Sequence, residues 1–410
     1  MDKDIKRRLG LIFGFVLIDL LGYSLILPLL PYYAETFGAT LTLVGLLGTV
    51  NALGQLIAAP TIGRLSDRYG RRPLLIVSIV GTVVSFLLLG TARSLTVIFL
   101  SRILDGLLGG NIALARAYIT DVTDEKNRAR GLGIIGAAFG LGFIVGPAMG
   151  GVLSQFGYNV PALVAAGLSL LNLIAVVLWL PESLSQERRA EMRVSPRTRF
   201  SFRLLAEALK RPCIGPLLHI NLLYSLAFTL FQANFALYAK TRLALDVQAT
   251  SLVLTYVGIL SVLVQGFAIG KLTARFRERQ LIFAGTVILA LALLGWAFAP
   301  NVWLLLVVLA PTALAAGVLN TVLTSQLTKV VRREETGGTL GLSSSLQTLA
   351  QIVSPGLGGL LLENAGTWSV GVLGALIMAW TVSFTRRRLL SQPDDTDASC
   401  RSGEVGAVVA

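Results

Sequence analysis

The chain alternates between long apolar runs and short polar punctuation, and the runs are about 20 residues long, enough to cross the hydrocarbon as helices. Twelve spans are predicted, at 9–34, 42–63, 73–92, 95–119, 131–153, 160–180, 214–238, 247–271, 280–299, 302–328, 338–361 and 367–386. The longest polar interruption, 181–211, divides six spans from six. The expected organisation is an N-terminal bundle at 1–180, a cytoplasmic central loop at 181–211, a C-terminal bundle at 212–390 and a tail at 391–410. The tail lacks any periodic pattern and is expected to be disordered. The start, MDKDIKRR, runs straight into an apolar segment with no cleavage signature, which reads as an uncleaved first span. The fold class is an all-α membrane protein with twelve transmembrane helices in two pseudo-symmetric six-helix bundles.

Composition agrees with lipid as the solvent. Only 14% of the 410 residues are charged, against about 25% in a soluble domain. The net charge of +13 is explained by where it sits. Twelve spans put both termini on one side, and that side collects 30 of the 35 Lys and Arg residues. The other side holds three, and Arg102 and Arg116 lie inside span 4. This is a positive-inside pattern. It places both termini in the cytoplasm, points to a multi-pass protein of the cell (inner) membrane, and leaves no need for nucleic acid. Two cysteines and one histidine exclude a disulfide framework and a metal site. Both cysteines fall on the reducing side, where disulfides are rare. No phosphate-binding glycine loop and no loop cluster of acids is present, so neither an ATP-driven machine nor an enzyme is expected, and no cofactor.

The two halves repeat. GRLSDRYGRRPLL (63–75) and GKLTARFRERQLI (270–282) share six positions at an offset of 207, and GPAMGG (146–151) and SPGLGG (354–359) align at 208. Parallel halves of this kind are the architecture of a carrier that rocks about a central site. Residues 5–390 resemble a major facilitator superfamily transporter, and within it the twelve-span drug–proton antiporters that include tetracycline exporters. The resemblance rests on GRLSDRYGRRP between spans 2 and 3, on GLGFIVGPAMGG in span 5, on Arg102 with Gly106 in span 4, and on DLLGYSLILPLLP from Asp19 in span 1. It implies an antiporter driven by protons. It also implies that the span 4 arginine takes part in proton coupling and that the aspartate of the first motif docks near the start of span 11. The functional aspartates of tetracycline exporters in spans 3 and 9 have no counterpart here, which separates this chain from tetracycline itself.

The residues suggest roles of their own. Asp19 lies about 15 Å into span 1 at 1.5 Å per residue, where an ionised carboxylate is costly and a nearby cation would offset the cost. Arg102 and Asp105 stand three apart on span 4; they can neutralise one another, or Arg102 can reach Asp19 and leave Asp105 as a second acid. Asp19, Arg102 and Asp105 are the proton-coupling candidates. On span 7, Asn221, Ser225, Phe228, Gln232 and Phe235 fall within about 80° of one another. With Tyr23, Asn51, Gln55, Asn111, Asn320, Gln347 and Gln351 they would line a large, neutral, partly aromatic cavity, or they would brace helices to one another. Gly63, Asp67, Arg68, Gly70, Arg71 and Arg72, in the loop after span 2, form a candidate cytoplasmic gate with Asp121. Gly142, Gly146 and Gly150, with Pro147 interrupting the helix, are expected to press a bent span 5 against span 8. His219 and Arg116 read as interfacial anchors.

These patterns support a monomeric, proton-coupled exporter of hydrophobic or amphipathic small molecules. A proton-coupled sugar or metabolite carrier of the same superfamily would use the same amides. A receptor or scaffold on a transporter fold is the third reading, and the intact charged set speaks against it.

Overall fold

The computed structural model describes residues 3–123, 125–184, 207–331 and 335–390. Most of the central loop and the whole tail lie outside the described residues. Within them the chain is helical, without strands. The first six spans are Lys3–Ile26, Leu41–Tyr69, Arg71–Gly90, Leu95–Leu108 continued by Asn111–Val122, Glu125–Leu153 and Val160–Trp179. The last six are Gly215–Leu243, Val247–Leu263 continued through a π turn into Ile269–Arg275, Glu278–Ala297, Val302–Val330, Thr336–Asn364 and Ser369–Thr385. A short helix, Leu30–Glu35, follows span 1.

Eleven of these spans are both long and apolar enough to cross a bilayer. Span 11 is equally long, at 29 residues, but carries a run of Ser, Thr, Gly and Gln. Several boundaries differ from expectation. Span 2 runs six residues past its expected end, because Arg64, Leu65 and Arg68 are good helix formers outside the apolar core as well as inside it. Span 2 stops at Gly70, whose φ of 110° closes the door to most other residues. Pro147 does not interrupt span 5, which stays helical from Glu125 to Leu153; membrane helices tolerate proline where neighbours satisfy the freed carbonyl. The expectation that both thiols stay reduced falls in part on Cys400, which lies outside the described residues.

The chain divides into two compact units: 1–197 with 244–259, and 198–243 with 260–410. Inside the first, span 1 packs on spans 5 and 6, and span 3 on spans 4 and 6. Inside the second, span 7 packs on spans 11 and 12, and span 9 on spans 10 and 12. The repeat in sequence is therefore also a repeat in packing. The first unit is held by an apolar centre of Leu9, Ile12, Phe15, Leu75, Ile79 and Tyr118. In the second, Trp296 is fully buried between Phe231 and Tyr238, and the Tyr238 hydroxyl donates to the Trp296 carbonyl at 2.6 Å.

Candidate functional site

Spans 1, 2 and 4 carry the intramembrane charges. Arg102 is buried and lies 3.7 Å from Asp105, so the two neutralise one another across a single helical turn. Asn51 on span 2 donates to Asp105 at 2.9 Å and to the Arg102 carbonyl at 3.1 Å, and Gln55 donates to Asn51 at 2.9 Å. The result is one linked chain, Gln55–Asn51–Asp105–Arg102. The close approach that permits it comes from two glycines: a Cβ on Gly54 would lie 2.8 Å from the Gly106 backbone. Asp19 does not join this chain. It is half-buried and accepts from Asn111 at 2.5 Å, and Asn111 also donates to Thr82 on span 3 at 3.2 Å. Among the described residues no Lys or Arg lies within 4.0 Å of Asp19, so of the two partners open to Arg102 the one formed is the acid on its own helix. The Arg102 Nε is buried without a partner, as is the Asn111 Oδ1.

The polar stripe of span 7 splits. Asn221 is buried and donates to the Ser343 hydroxyl at 3.0 Å, Ser225 is buried, and Phe235 is buried against Phe231. Asn221 thus spends its amide on span 11 and Phe235 packs on its own helix, rather than on a cavity. Phe228 is half-buried, stacked on Tyr224, and Gln232 is exposed. Asn320 and Gln351 are also exposed, Gln347 is half-buried, and Tyr23 is 41% exposed. Asn51, Gln55 and Asn111 belong to the hydrogen-bonded groups around the acids.

The charges expected in a loop after span 2 lie on helices instead. Arg71 begins span 3. It pairs with Asp67 at 2.7 Å, with Asp121 at the end of span 4 at 3.0 Å, and donates to Ser66. Glu182, just after span 6, accepts from the backbone N–H groups of Arg71 and Arg72 at 2.9 and 3.2 Å. Arg72 reaches the Val177 carbonyl, and Arg68 lies over the Tyr69 ring. Gly63 has open space around it. In the second unit, Glu278 occupies the position of Arg71 at the 207 offset. It pairs with Lys329 at 2.7 Å and accepts from Ser325 and Gln326. Span 9 therefore does begin with an acid, two residues before its expected start.

The glycines of span 5 face span 1, not span 8. A Cβ on Gly142 would lie 3.0 Å from Leu20 Cβ, one on Gly146 would run into the Ser24 hydroxyl, and one on Gly150 would meet the Leu25 carbonyl at 2.5 Å. Ser24 donates to the Gly142 carbonyl at 2.8 Å. Positions four apart share one face, and the face one residue on is the one turned to span 8: a Cβ on Gly151 would lie 2.8 Å from Ser251. The second unit repeats the device with an unforeseen residue. Asn234, fully buried on span 7, donates to the Ser354 carbonyl at 3.2 Å and fills the space left by Gly358. Sequence reasoning passed over Asn234 because it lies off the stripe of Gln232 and Phe235. It also passed over Glu182, although Pro-Glu directly after an apolar span was a visible signal.

The family model of the Major Facilitator Superfamily matches residues 12–239 and 217–399. The chain belongs to the major facilitator superfamily. It is 30% identical to the tetracycline resistance protein, class C, of Escherichia coli, over 95% of this chain and 99% of that protein. It is 29% identical to multidrug resistance protein 2 of Bacillus subtilis, over 85% and 87%. The crystal structure of the human organic anion transporter MFSD10 shares the superfamily fold, with a TM-score of 0.69 at 21% identity, covering 94% of this chain and all of that one. Like other superfamily members, the protein is a multi-pass membrane transporter of small molecules.

Proposed function

We propose that this protein is a proton-coupled antiporter that exports hydrophobic or amphipathic small molecules by alternating access of its two halves. The single observation that carries the reading is Asp19, an acid within a membrane span whose partner is the Asn111 amide and not a cation. A carboxylate in that setting is easily neutralised, and taking up a proton removes its cost in the membrane. The Arg102–Asp105 pair, already self-neutralised, serves as the fixed element beside it. The export direction is supported by the relatives, which are named for tetracycline and multidrug resistance. The exposed Tyr23, Gln232, Asn320 and Gln351 and the half-buried Phe228 offer rings and uncharged amides, which suit amphipathic organic molecules. The protein works as a monomer in the cytoplasmic membrane with both termini inside.

The test is uphill export of fluorescent amphiphiles by proteoliposomes under an imposed proton gradient. Wild type concentrates the dye and an uncoupler abolishes it. Asp19→Asn is expected to abolish gradient-driven export while preserving binding. Uphill export by that variant would remove Asp19 from the coupling step. Competition by sugars but not by amphiphiles would move the protein to a metabolite carrier.

A further inference from the structure

A groove of about 280 Å³ runs between spans 2, 3 and 4, and an adjoining one of about 370 Å³ runs between spans 3 and 4; they share Val77 and Leu108. Their walls are apolar, and Ile57 and Val77 are 62% and 53% exposed. Span 4 breaks between Leu108 and Asn111 at the floor of the groove, which would normally bare polar backbone. Ser78 prevents this: its hydroxyl donates to the Leu108 carbonyl and accepts from the Gly110 N–H at 3.1 Å. The groove keeps largely apolar walls although it crosses a helix break.

The groove ends in charge. On span 2, Ile57, Thr61, Arg64 and Arg68 fall within about 60° of one another at 100° per residue. Both arginines are exposed. Tyr69, next in sequence, is 51% exposed with Arg68 over its ring at 5.4 Å. An exposed tyrosine at the end of a span marks the membrane–water interface. The apolar stripe thus leads to two guanidinium groups at the depth of lipid headgroups.

We propose that this face binds one anionic phospholipid, with an acyl chain in the groove and the headgroup phosphate on Arg64 and Arg68. Guanidinium groups match phosphate oxygens in pairs, and basic pockets among membrane helices hold anionic headgroups. A second copy of the chain would bring its own basic helix ends to this stripe, which charge opposes. The site is separate from Asp19 and does not depend on what is transported.

The experiment is native mass spectrometry of the purified full chain, incubated with phosphatidylglycerol or phosphatidylethanolamine of matched acyl chains. Wild type is expected to retain phosphatidylglycerol about tenfold better, the ratio set by one good charged contact. The double variant R64Q/R68Q lowers that retention to the level of phosphatidylethanolamine. Val77→Trp, which fills the groove and leaves both arginines, lowers the retention of both lipids. Melting curves in detergent confirm that each variant is folded. Equal retention of the two lipids by wild type overturns the proposal, as does unchanged phosphatidylglycerol in R64Q/R68Q or full retention in Val77→Trp. Dimer in place of lipid adducts assigns the groove to another copy and overturns it too.

Discussion

The two halves brace the same joint with opposite charges. In the first, Arg71 at the start of span 3 holds Asp121 at the end of span 4; in the second, Glu278 at the start of span 9 holds Lys329 at the end of span 10. The helix dipole separates them. A helix start is positive and a helix end negative, so Glu278 and Lys329 each sit where their charge is favoured. Arg71 and Asp121 each sit where it is not. The first half offsets the misfit with Glu182, whose carboxylate takes the free N–H groups beside Arg71, and with Asp67. It also buries the joint more fully: the Arg71 and Asp121 side chains are 8% and 10% exposed, while Glu278 is 16% and Lys329 52% exposed. One brace is matched and open, the other mismatched and dependent on its neighbours. A joint that stands only while several groups agree is the one suited to release during a transport cycle.

The largest expected effect breaks the buried side of this contrast. Arg71→Ala leaves Asp67 and Asp121 without their shared cation and is expected to cost about 3 kcal/mol, read as a lowered melting temperature in detergent. Equal losses for Arg71→Ala and Lys329→Ala would erase the difference between the halves. Next comes the glycine contact that both halves share. Gly358→Ala drives a Cβ into Asn234, and Gly146→Ala drives one into Ser24, each expected to cost about 1–3 kcal/mol; the Ser24 side relaxes more easily, because a hydroxyl can rotate away and a buried amide cannot. Glu182→Gln keeps an acceptor but loses the charge, for about 1 kcal/mol, read in the same melting curves. Exchanging Glu278 and Lys329 puts the mismatched polarity on the second half without a Glu182 to help, and should cost up to about 1 kcal/mol. The smallest effect is Lys329→Ala, within about 1 kcal/mol as for other exposed pairs.

Hydropathy made the span count legible, since a run of about 20 apolar residues has few other uses. The repeat was legible too, because Gly, Leu and Arg recur at one offset. What escaped was any partner chosen by the third dimension. Charge and glycine made 63–72 look like a loop, yet only Gly70 leaves the helix, and the Asp67–Arg71 pair spans that single-residue break. Arg102 was open to either acid in sequence; the structure gives it Asp105 because that acid is one turn away on a rigid helix. Asn221 and Phe235 matched a cavity stripe, but a projection of one helix cannot say which neighbour covers it. The glycine spacing of span 5 fixed a face and left its direction unknown.

Span 11 has a consequence for how the protein is made. A segment rich in Ser, Thr, Gly and Gln is drawn from the insertion machinery into lipid only weakly by its own side chains. Its hydrogen-bonding partners, Asn221 and Asn234, sit on span 7, which is synthesised 121 residues ahead by start position, 336 against 215. Span 7 is therefore made before span 11, and its two amides offer the polar partners that lipid cannot.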